Sequence, residues 1–385
     1  MNVSVIGKKC VGCSACEQIC PKDAIKMIYN EEGFLYPVID NTLCVNCGIC
    51  NQVCPTYQDE HRQANRTCAY QGYSKDEMTV KNSSSGGAFS IMAEYTLENN
   101  GIVFGVKFDK KTKEVVYSST DECVLDEIRR SKYVTPNPKN TFSRVKHELI
   151  SGRNVLYCGL PCHIEGLYRF LGKEYKNLVT CDFICGGVPS ERFFKEHLEA
   201  LEMKYKSTVK DVNFRAKLYG WKDHSIKVTF DNGKTYCRHA NADSFFRGYL
   251  VKPYQRDCCY RCNYRLKHYA DLTIADYWGG VNENNNNKGV SMVIVNTNNG
   301  YDFAQKTLIG SGEMFEELKL EKTAYAFSEQ KERFLKGIEN KKIFMKLYEK
   351  HGFEKAAKKL YFKDEMIVRI KVFIKQIIGK YSVNK

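Results

Sequence analysis

The chain has 385 residues, 43% of them hydrophobic, and a formal net charge of +14. This length allows two or three domains with buried cores, and the composition excludes a disordered chain and a small disulfide-stapled scaffold. No apolar run approaches the length of a membrane span, and a cysteine motif begins at residue 10, which leaves no room for a signal peptide. We therefore expect a cytoplasmic protein.

The positive charge is concentrated at the C-terminal end. Residues 331–385 contain 16 Lys/Arg against 6 Asp/Glu, so the preceding residues carry only +4 of the total. Because the basic character is a tail and not a field over the whole surface, nucleic acid is not expected as a partner.

Two copies of one cysteine motif lie within the first 55 residues. They are CVGCSACEQICP (10–21) and CVNCGICNQVCP (44–55), both with the spacing C-x2-C-x2-C-x3-C-P. This is the bacterial ferredoxin pattern, in which the fourth cysteine of each run binds the other cluster. Zinc is the alternative, but zinc sites use C-x2-C pairs instead of runs of four followed by proline. We expect two 4Fe-4S clusters, one on Cys10, Cys13, Cys16 and Cys54 and one on Cys44, Cys47, Cys50 and Cys20.

The chain as a whole divides into four parts and a linker. Residues 1–57 form the two-cluster ferredoxin module, with a hairpin predicted around residues 30–33, and the polar residues 58–67 form a linker. Two regions follow, 68–150 and 151–320, and then a basic helical tail, 321–385.

Strands and helices alternate along the two central regions. The patterns predict a helix over 88–98, strands over 101–108, 154–158 and 178–184, and helices over 163–171 and 191–203, the last capped by Ser190. Residues 213–236 predict antiparallel strands around a turn at 231–233, and the polar run 282–287 predicts a surface loop. The expected fold class is α/β with α+β elements, in which a mixed sheet follows the ferredoxin module.

Four further cysteines stand in suggestive positions. Cys162 and Cys185 each follow a predicted strand and precede a helix. If those strands are parallel, both cysteines lie at the carboxyl edge of the sheet, where open α/β sheets bind ligands. Cys259 and Cys262 form a C-x2-C pair that could complete a four-thiolate site. Buried free cysteines are the alternative, and Cys158, Cys181 and Cys258 are neighbours that could substitute.

A phosphate cradle is the other candidate site. No G-x-G-x-x-G follows a strand, so a Rossmann site is not supported. The run SSSGG (83–87) opens onto a helix and suits a pyrophosphate, although a plain serine N-cap is the alternative. His163 is a candidate proton carrier or a structural histidine. Neither a Ser–His–Asp arrangement nor a P-loop is visible.

Several motifs together resemble one family. They are SKYV (131–134), GLPCHIEGL (159–167), ICGGVPS (184–190), Gly220–Trp221, and ADLTIADYWGG (270–280) after the C-x2-C pair. The chain resembles the coenzyme F420 hydrogenase/dehydrogenase beta-subunit family, in a version with a fused two-cluster ferredoxin module. It departs from the family pattern at Ala275, where a glycine is usual.

The resemblance implies FAD and a third 4Fe-4S cluster. The cluster ligands carry over onto Cys162, Cys185, Cys259 and Cys262. The implied flavin contacts are Ser85, Gly86, Gly87, Ser131, Lys132, Tyr133 and Trp278, with Lys132 reaching a phosphate or the N1–C2 edge of the flavin. Asp276 and Trp278 would line the same pocket, although core packing is the alternative for Trp278. The catalytic candidates are His163 and Asp276.

The tail contains one amphipathic segment. Residues 366–380 predict a helix with an apolar stripe flanked by Arg and Lys, which suits an anionic membrane surface or an acidic partner. A helix packed on its own domain is the alternative.

The sequence therefore predicts an iron–sulfur flavoprotein oxidoreductase. Electrons would come from a redox partner such as a ferredoxin or a reductase or hydrogenase subunit, and would pass through clusters to FAD and then to a substrate. Two alternatives stay open: a ferredoxin:coenzyme F420 oxidoreductase, and an electron-transfer subunit without flavin.

Overall fold

The computed structural model describes residues 2–57, 62, 65–223, 225–279, 287–324 and 330–361. The predicted tail helix (366–380), most of the polar run 282–287 and most of the first half of the linker 58–67 lie outside the described residues.

The cysteine motifs fold into a small module with one hairpin. Strands β1 (Ile25–Tyr29) and β2 (Leu35–Ile39) pair antiparallel, so the predicted hairpin is confirmed. Each motif ends in a short helix, α1 (Ala15–Ile19) in the first and α2 (Ile49–Gln52) in the second.

The remaining strands form two sheets. They are β3 (Cys68–Tyr73), β4 (Ile102–Asp109), β5 (Glu114–Ser119), β6 (Val155–Cys158), β7 (Leu178–Phe183), β8 (Val209–Ala216), β9 (Ser225–Phe230), β10 (Thr235–His239), β11 (Leu272–Asp276), β12 (Ser291–Val295) and β13 (Met314–Leu318). The large sheet has the order β13-β3-β12-β11-β7-β6-β4-β5, and the small antiparallel sheet has the order β10-β9-β8.

Helices cover the sheets and connect the strands. They are α3 (Glu77–Asn82), α4 (Ala88–Glu98), α5 (Leu125–Ile128), α6 (Thr141–Ile150), α7 (Pro161–Leu171), α8 (Glu191–Tyr205), α9 (Ser244–Val251), α10 (Asn298–Ala304) and α11 (Gln330–His351). The helices predicted over 88–98, 163–171 and 191–203 correspond to α4, α7 and α8, and Ser190 caps α8 by accepting from the Phe193 amide.

The large sheet is mixed, as predicted. Its middle strands β4, β6, β7 and β11 are parallel, whereas β5, β12, β3 and β13 pair antiparallel. Strand β3 belongs to the first central region but lies between β12 and β13 of the second. The two regions therefore share one sheet.

Both faces of the central strands are buried. In β6, Val155 and Tyr157 pack in a core with α6 and α7, while Leu156 packs on the other face with α4. Side chains alternate between the two faces of a strand, which explains why the buried parallel strands are continuous apolar runs.

The small sheet has its own core with α8, α9 and α11. Phe194 of α8, Phe214 of β8 and Phe245 of α9 are fully buried there. This core places β8 beside the carboxyl edge of the large sheet.

The hairpin of the cysteine module docks onto the start of α8. Arg192 Nη1 donates to the Glu31 carbonyl at 2.6 Å, and Ser190 Oγ donates to the Glu32 carbonyl. Gly33 has a φ of +76°, and a Cβ there would lie 2.4 Å from the Arg192 Cβ. The hairpin turn thus needs glycine both for its backbone and for its contact with α8.

In the described part of the chain, the helices lack the combination of length and apolar character that crossing a bilayer requires.

Gly33→Ala should loosen this docking. Both this variant and the control Gly233→Ala place Ala at a positive φ, but a Cβ at Gly233 (φ +78°) meets no atom within 4 Å. The control should lose about 1–2 kcal/mol to backbone strain, and Gly33→Ala should lose a further 1–3 kcal/mol, roughly, to the clash. Thermal unfolding of the two anaerobically purified variants compares them, and equal losses would contradict the clash.

Candidate functional site

The first predicted cluster set comes together inside the cysteine module. Cys10, Cys13, Cys16 and Cys54 are 6–8% exposed and line a cavity of about 20 Å³. Burial raises the pKa of the Cys16 thiol, and the nearby thiols of Cys13, Cys10 and Cys54 raise it further. This proximity is the grouping that the motif spacing predicts, with Cys54 joining the first run.

The second predicted set is closer to solvent. Cys50 is buried, Cys20 and Cys44 are half-buried, and Cys47 is exposed. Its sulfurs also receive weak polar contacts, from the Ala24 amide to Cys20 Sγ at 3.3 Å and from Asn2 Nδ2 to Cys44 Sγ at 3.9 Å. The module therefore has a solvent-facing end and a buried end.

The buried end of the module packs against α7. A Cβ at Gly166 of α7 would lie 2.9 Å from Cys13 Sγ, so only glycine allows this approach. Cys162 is one helical turn before Gly166 and lies on the same side of the helix. The nearby Cys13 thiol is one of the groups that raise the pKa of Cys162.

His163 contacts the same interface and not a ligand cavity. It is 1% exposed, and its Nε2 is 3.3 Å from the Val11 carbonyl oxygen of the cysteine module. Burial lowers the pKa of His163 to about 3, so the ring is neutral. The prediction that His163 moves protons for a substrate has no support in this placement, because the ring is sealed between the two parts of the chain.

The four cysteines of the third predicted set are neighbours. Cys162 lies in the first turn of α7, Cys185 follows β7, and the C-x2-C pair lies in and just after a 3-10 turn over Asp257–Arg261. Burial raises the pKa of the Cys162 thiol, and the other three thiols of the set raise it further. Because β6 and β7 are parallel, Cys162 and Cys185, which follow these two strands, lie at the same carboxyl edge of the sheet, as predicted.

The neighbouring cysteines pair with each other. Cys158 and Cys181 are register partners on β6 and β7, and their thiols interact. The Cys258 thiol donates to Cys259 and lowers its pKa. Within the described ranges, no three Cys, His, Asp or Glu side chains converge closely enough to hold a single metal ion. A four-iron cluster has a different requirement, because each thiolate binds its own iron.

A cavity of about 490 Å³ opens at the carboxyl edge of the sheet. It is lined by the 83–87 loop and the start of α4, by Ser131, Lys132 and Tyr133, and by Asp276 and Trp278. Cys158 and Cys185 are also in the lining. The cavity therefore collects most of the predicted flavin contacts and touches the third cysteine set.

Arg215 of β8 is the most informative side chain of the cavity. It is 6% exposed, its Nη1 donates to Asp276 Oδ2 at 2.7 Å and to the Tyr133 hydroxyl at 3.2 Å, and its Nε and Nη2 have no acceptor in the described structure. An unpartnered buried guanidinium nitrogen is costly, so these donors suit an anionic group in the cavity.

The loop at 83–87 is held by side chains around it. Lys217 Nζ donates to the carbonyls of Val80 and Ser85 at 2.7 and 2.8 Å. The Gly86 and Ala88 amides donate to Ser291 Oγ at 3.0 and 3.4 Å, and Ser84 Oγ accepts from the Ser131 amide at 2.8 Å. The Gly86 amide of the predicted cradle and the first amide of α4 are thus already used within the protein, and Gly86 does not line the cavity.

Lys132 is placed differently from the prediction. Its Nζ donates to the carbonyls of Glu127, Ile128 and Arg129 at the end of α5. Burial and the nearby Arg130 lower its pKa to about 7. Because an ammonium has three donors and all three have acceptors here, Lys132 offers none to a phosphate in this arrangement.

The aromatic and acidic candidates are at the cavity wall. Trp278 is 42% exposed and stacks on the buried Trp221 with centroids 4.5 Å apart. Asp276 Oδ1 accepts from Trp221 Nε1 at 3.3 Å, while its other oxygen accepts from Arg215. Asp276 is thus fixed between an arginine and an indole, and Trp278 presents a face at the cavity mouth.

Three cationic residues were missed by the sequence analysis. Arg215 and Lys217 lie in or just after a strand, and the fully buried Arg256 precedes the cysteine pair. Charged residues in a strand of alternating polarity are usually exposed, so the pattern did not indicate that these residues are buried beside the site. The available signal was Arg256, which stands two residues before a C-C-x-x-C run (258–262).

Comparisons with known proteins agree with the two cysteine-bearing regions. Residues 152–318 match the family described as the C terminus of the coenzyme F420 hydrogenase/dehydrogenase beta subunit, and residues 9–57 match the 4Fe-4S dicluster domain. No curated protein matches the chain. These matches confirm the resemblance seen in the motifs, and the chain is an iron–sulfur protein related to that beta subunit.

One of the similar solved structures comes from an archaeal enzyme complex. It is the xenon-derivatised F420-reducing nickel–iron hydrogenase complex from Methanosarcina barkeri, with 18% identity, a TM-score of 0.46, and coverage of 74% of this chain and 94% of that chain.

Gly166→Ala should disturb the buried cluster and leave the exposed one intact. The added Cβ meets Cys13 Sγ at 2.9 Å, so the thiol has to move by several tenths of an ångström. Gly172→Ala at the end of the same helix is the control, because a Cβ there meets no atom within 4 Å. Iron analysis and the electron paramagnetic resonance (EPR) spectrum of the reduced protein should change for Gly166→Ala alone, and an unchanged spectrum would contradict the contact.

Proposed function

We propose that this chain, in which a 4Fe-4S dicluster domain precedes the C-terminal domain of the coenzyme F420 hydrogenase/dehydrogenase beta subunit, is an iron–sulfur flavoprotein oxidoreductase. It would take electrons from a ferredoxin-type partner and reduce a substrate in the cavity at the carboxyl edge of the sheet. The proposal includes a third 4Fe-4S cluster on Cys162, Cys185, Cys259 and Cys262, and FAD in the cavity.

One observation carries the proposal. Cys185 belongs to the third cysteine set and also lines the 490 Å³ cavity. A redox group held by Cys185 would therefore border whatever binds in the cavity, without a protein layer between them.

The cysteine sets form a continuous series from solvent to cavity. The exposed Cys47 lies at the solvent end, and Cys185 lies at the cavity end. Between them, Cys13 of the first set packs on α7 one turn from Cys162 of the third set. Iron–sulfur clusters carry single electrons and a bound flavin exchanges one or two, so such a series converts single electrons into a pair. The electrostatics support this order, because the thiol of Cys50 acts on Cys16 and the thiol of Cys13 acts on Cys162.

The charge of the cavity favours an anionic ligand. Arg130, Arg215 and Arg333 line it, against a single carboxylate, that of Asp276, among its described lining residues. The buried donors Nε and Nη2 of Arg215 have no protein acceptor in the described structure. A phosphate-bearing cofactor such as FAD satisfies this chemistry, and the exposed face of Trp278 suits a planar ring system.

The substrate is tested first with F420, because the family description names it. Anaerobic protein reduced by a ferredoxin-type donor should bleach the F420 absorbance if F420 is the acceptor. No bleaching by flavin-loaded protein removes this candidate. A protein that neither contains nor takes up flavin would instead be an electron-transfer subunit that serves a partner enzyme.

Cys185→Ser should remove one cluster of three. Anaerobically purified protein should contain about twelve irons and the variant about eight, because a cubane holds four. Cys158→Ser is the matched control, since Cys158 lines the same cavity but pairs with Cys181 instead of the third set. About eight irons in the unsubstituted protein would contradict the proposal of a third cluster.

Arg215→Met should weaken FAD binding about tenfold or more, which corresponds to ~1.4 kcal/mol. Arg130→Met is the control, because Arg130 lines the cavity but faces Asp211 at 3.8 Å. Flavin fluorescence quenching measures both. If Arg215 holds a phosphate, riboflavin binding is unaffected, whereas weakening of both ligands places Arg215 at the ring. Equal affinities for FAD in all three proteins would contradict the anionic subsite.

A further inference from the structure

A buried arginine joins the cysteine module to the third cysteine set. The Arg256 backbone amide donates to the Val188 carbonyl at 3.0 Å, and its own carbonyl accepts from the Cys259 amide at 2.9 Å. Val188 is three residues after Cys185, so the backbone of Arg256 is tied to both segments that supply this set. Its side chain points the other way, into the cysteine module.

The side chain is held around the first cysteine set. Arg256 Nε donates to the Cys10 carbonyl at 2.7 Å, and Nη2 donates to the Leu35 carbonyl at 2.7 Å. The guanidinium carbon lies 4.3 Å from the ring centroid of Tyr36. The third nitrogen, Nη1, is buried and has no hydrogen-bond partner in the described structure.

The first motif makes room for this side chain at Gly12. The residue has a φ of +76°, and a Cβ there would lie 3.0–3.2 Å from the guanidinium nitrogens and carbon. Because Gly12 lies between Cys10 and Cys13 in the sequence, the positive charge sits directly beside the loop that wraps the first set.

The charge of Arg256 has no carboxylate partner. The side chain is 0% exposed, and among the described residues it forms no salt bridge, while the adjacent Asp257 pairs with Lys341 at 2.7 Å and Lys8 at 3.6 Å. An arginine stays protonated in proteins, and an unpaired buried charge costs several kcal/mol, roughly. The ionisable groups that act on it most strongly are the thiols of Cys10 and Cys258, followed by Tyr36 and Cys259.

We propose that Arg256 is the fixed counter-charge of the first cluster and that it raises the reduction potential of this cluster. A cluster on four thiolates is an anion, and gaining an electron adds one negative charge to it. A fixed positive charge in a buried site stabilises the reduced form more than the oxidised form, and Arg256 is 0% exposed. The proposal therefore concerns a cluster of the 4Fe-4S dicluster domain and does not depend on a third cluster.

Two variants of the full-length chain separate charge from geometry. Arg256→Gln removes the charge and keeps an amide donor, while Arg256→Lys keeps the charge and loses the planar fork. Lys8→Met is the surface control, because the Lys8 side chain is 87% exposed. The second cluster is the internal reference, since Arg256 donates to the carbonyls of Cys10 and Leu35 and to no group of the second set.

The measurement is a redox titration followed by EPR, with an iron count for each protein. At the solution potential where the first cluster of the unsubstituted protein is half reduced, Arg256→Gln should lower its reduced-to-oxidised ratio about tenfold, which is 59 mV for one electron. Arg256→Lys and Lys8→Met should change the ratio less than about threefold. The difference should persist at high salt, because a buried charge is screened little.

Several results would overturn the proposal. They are an unchanged ratio in Arg256→Gln with its iron intact, an equal loss in Arg256→Gln and Arg256→Lys, and a shift that salt abolishes. If Arg256→Gln does not retain its iron, the Arg256→Lys variant is the test. Retained iron and an unshifted potential of the first cluster in Arg256→Lys would support the counter-charge, and a lowered potential would overturn it. A total of about eight irons would remove the third cluster from the proposed function and leave the test on the first cluster valid.

Discussion

The parallel pairing of β6 and β7 is the constraint on which the candidate site depends. Because the two strands run in the same direction in register, with Cys158 opposite Cys181, the segments that follow them emerge at the same edge. One segment begins α7 and contains Cys162, and the other contains Cys185. The large cavity lies at this edge, with Cys185 in its wall. If the pairing were antiparallel, the two cysteines would lie at opposite ends of the sheet.

Local sequence patterns predicted the features that depend on local chemistry. The spacing of Cys10, Cys13 and Cys16 follows from how one loop wraps a cluster, and the N-cap at Ser190 follows from the hydrogen bonds of one helical turn. The strand and helix order was also readable, because a buried parallel strand is a short apolar run. These features need no knowledge of the distant parts of the chain.

The misplaced and missed residues depend on contacts between distant segments. His163 was a candidate proton carrier or a structural histidine, and its buried contact with the Val11 carbonyl, 152 positions away, favours the structural role. Lys132 was read as a phosphate ligand, yet its donors are used by α5. Arg215 and Arg256 are buried, which is unusual for arginine, and no periodic pattern indicates a buried charge whose partners come from distant segments of the chain.

The burial of the first cysteine set also constrains how the protein is made. Its four cysteines are 6–8% exposed, and α7 packs so closely on Cys13 that only glycine fits at position 166. An iron–sulfur scaffold protein cannot reach thiols in that position once the module has docked. Loading of this cluster therefore requires the first 57 residues to be away from α7 and α8, either before the module docks or during a local opening of the docked protein.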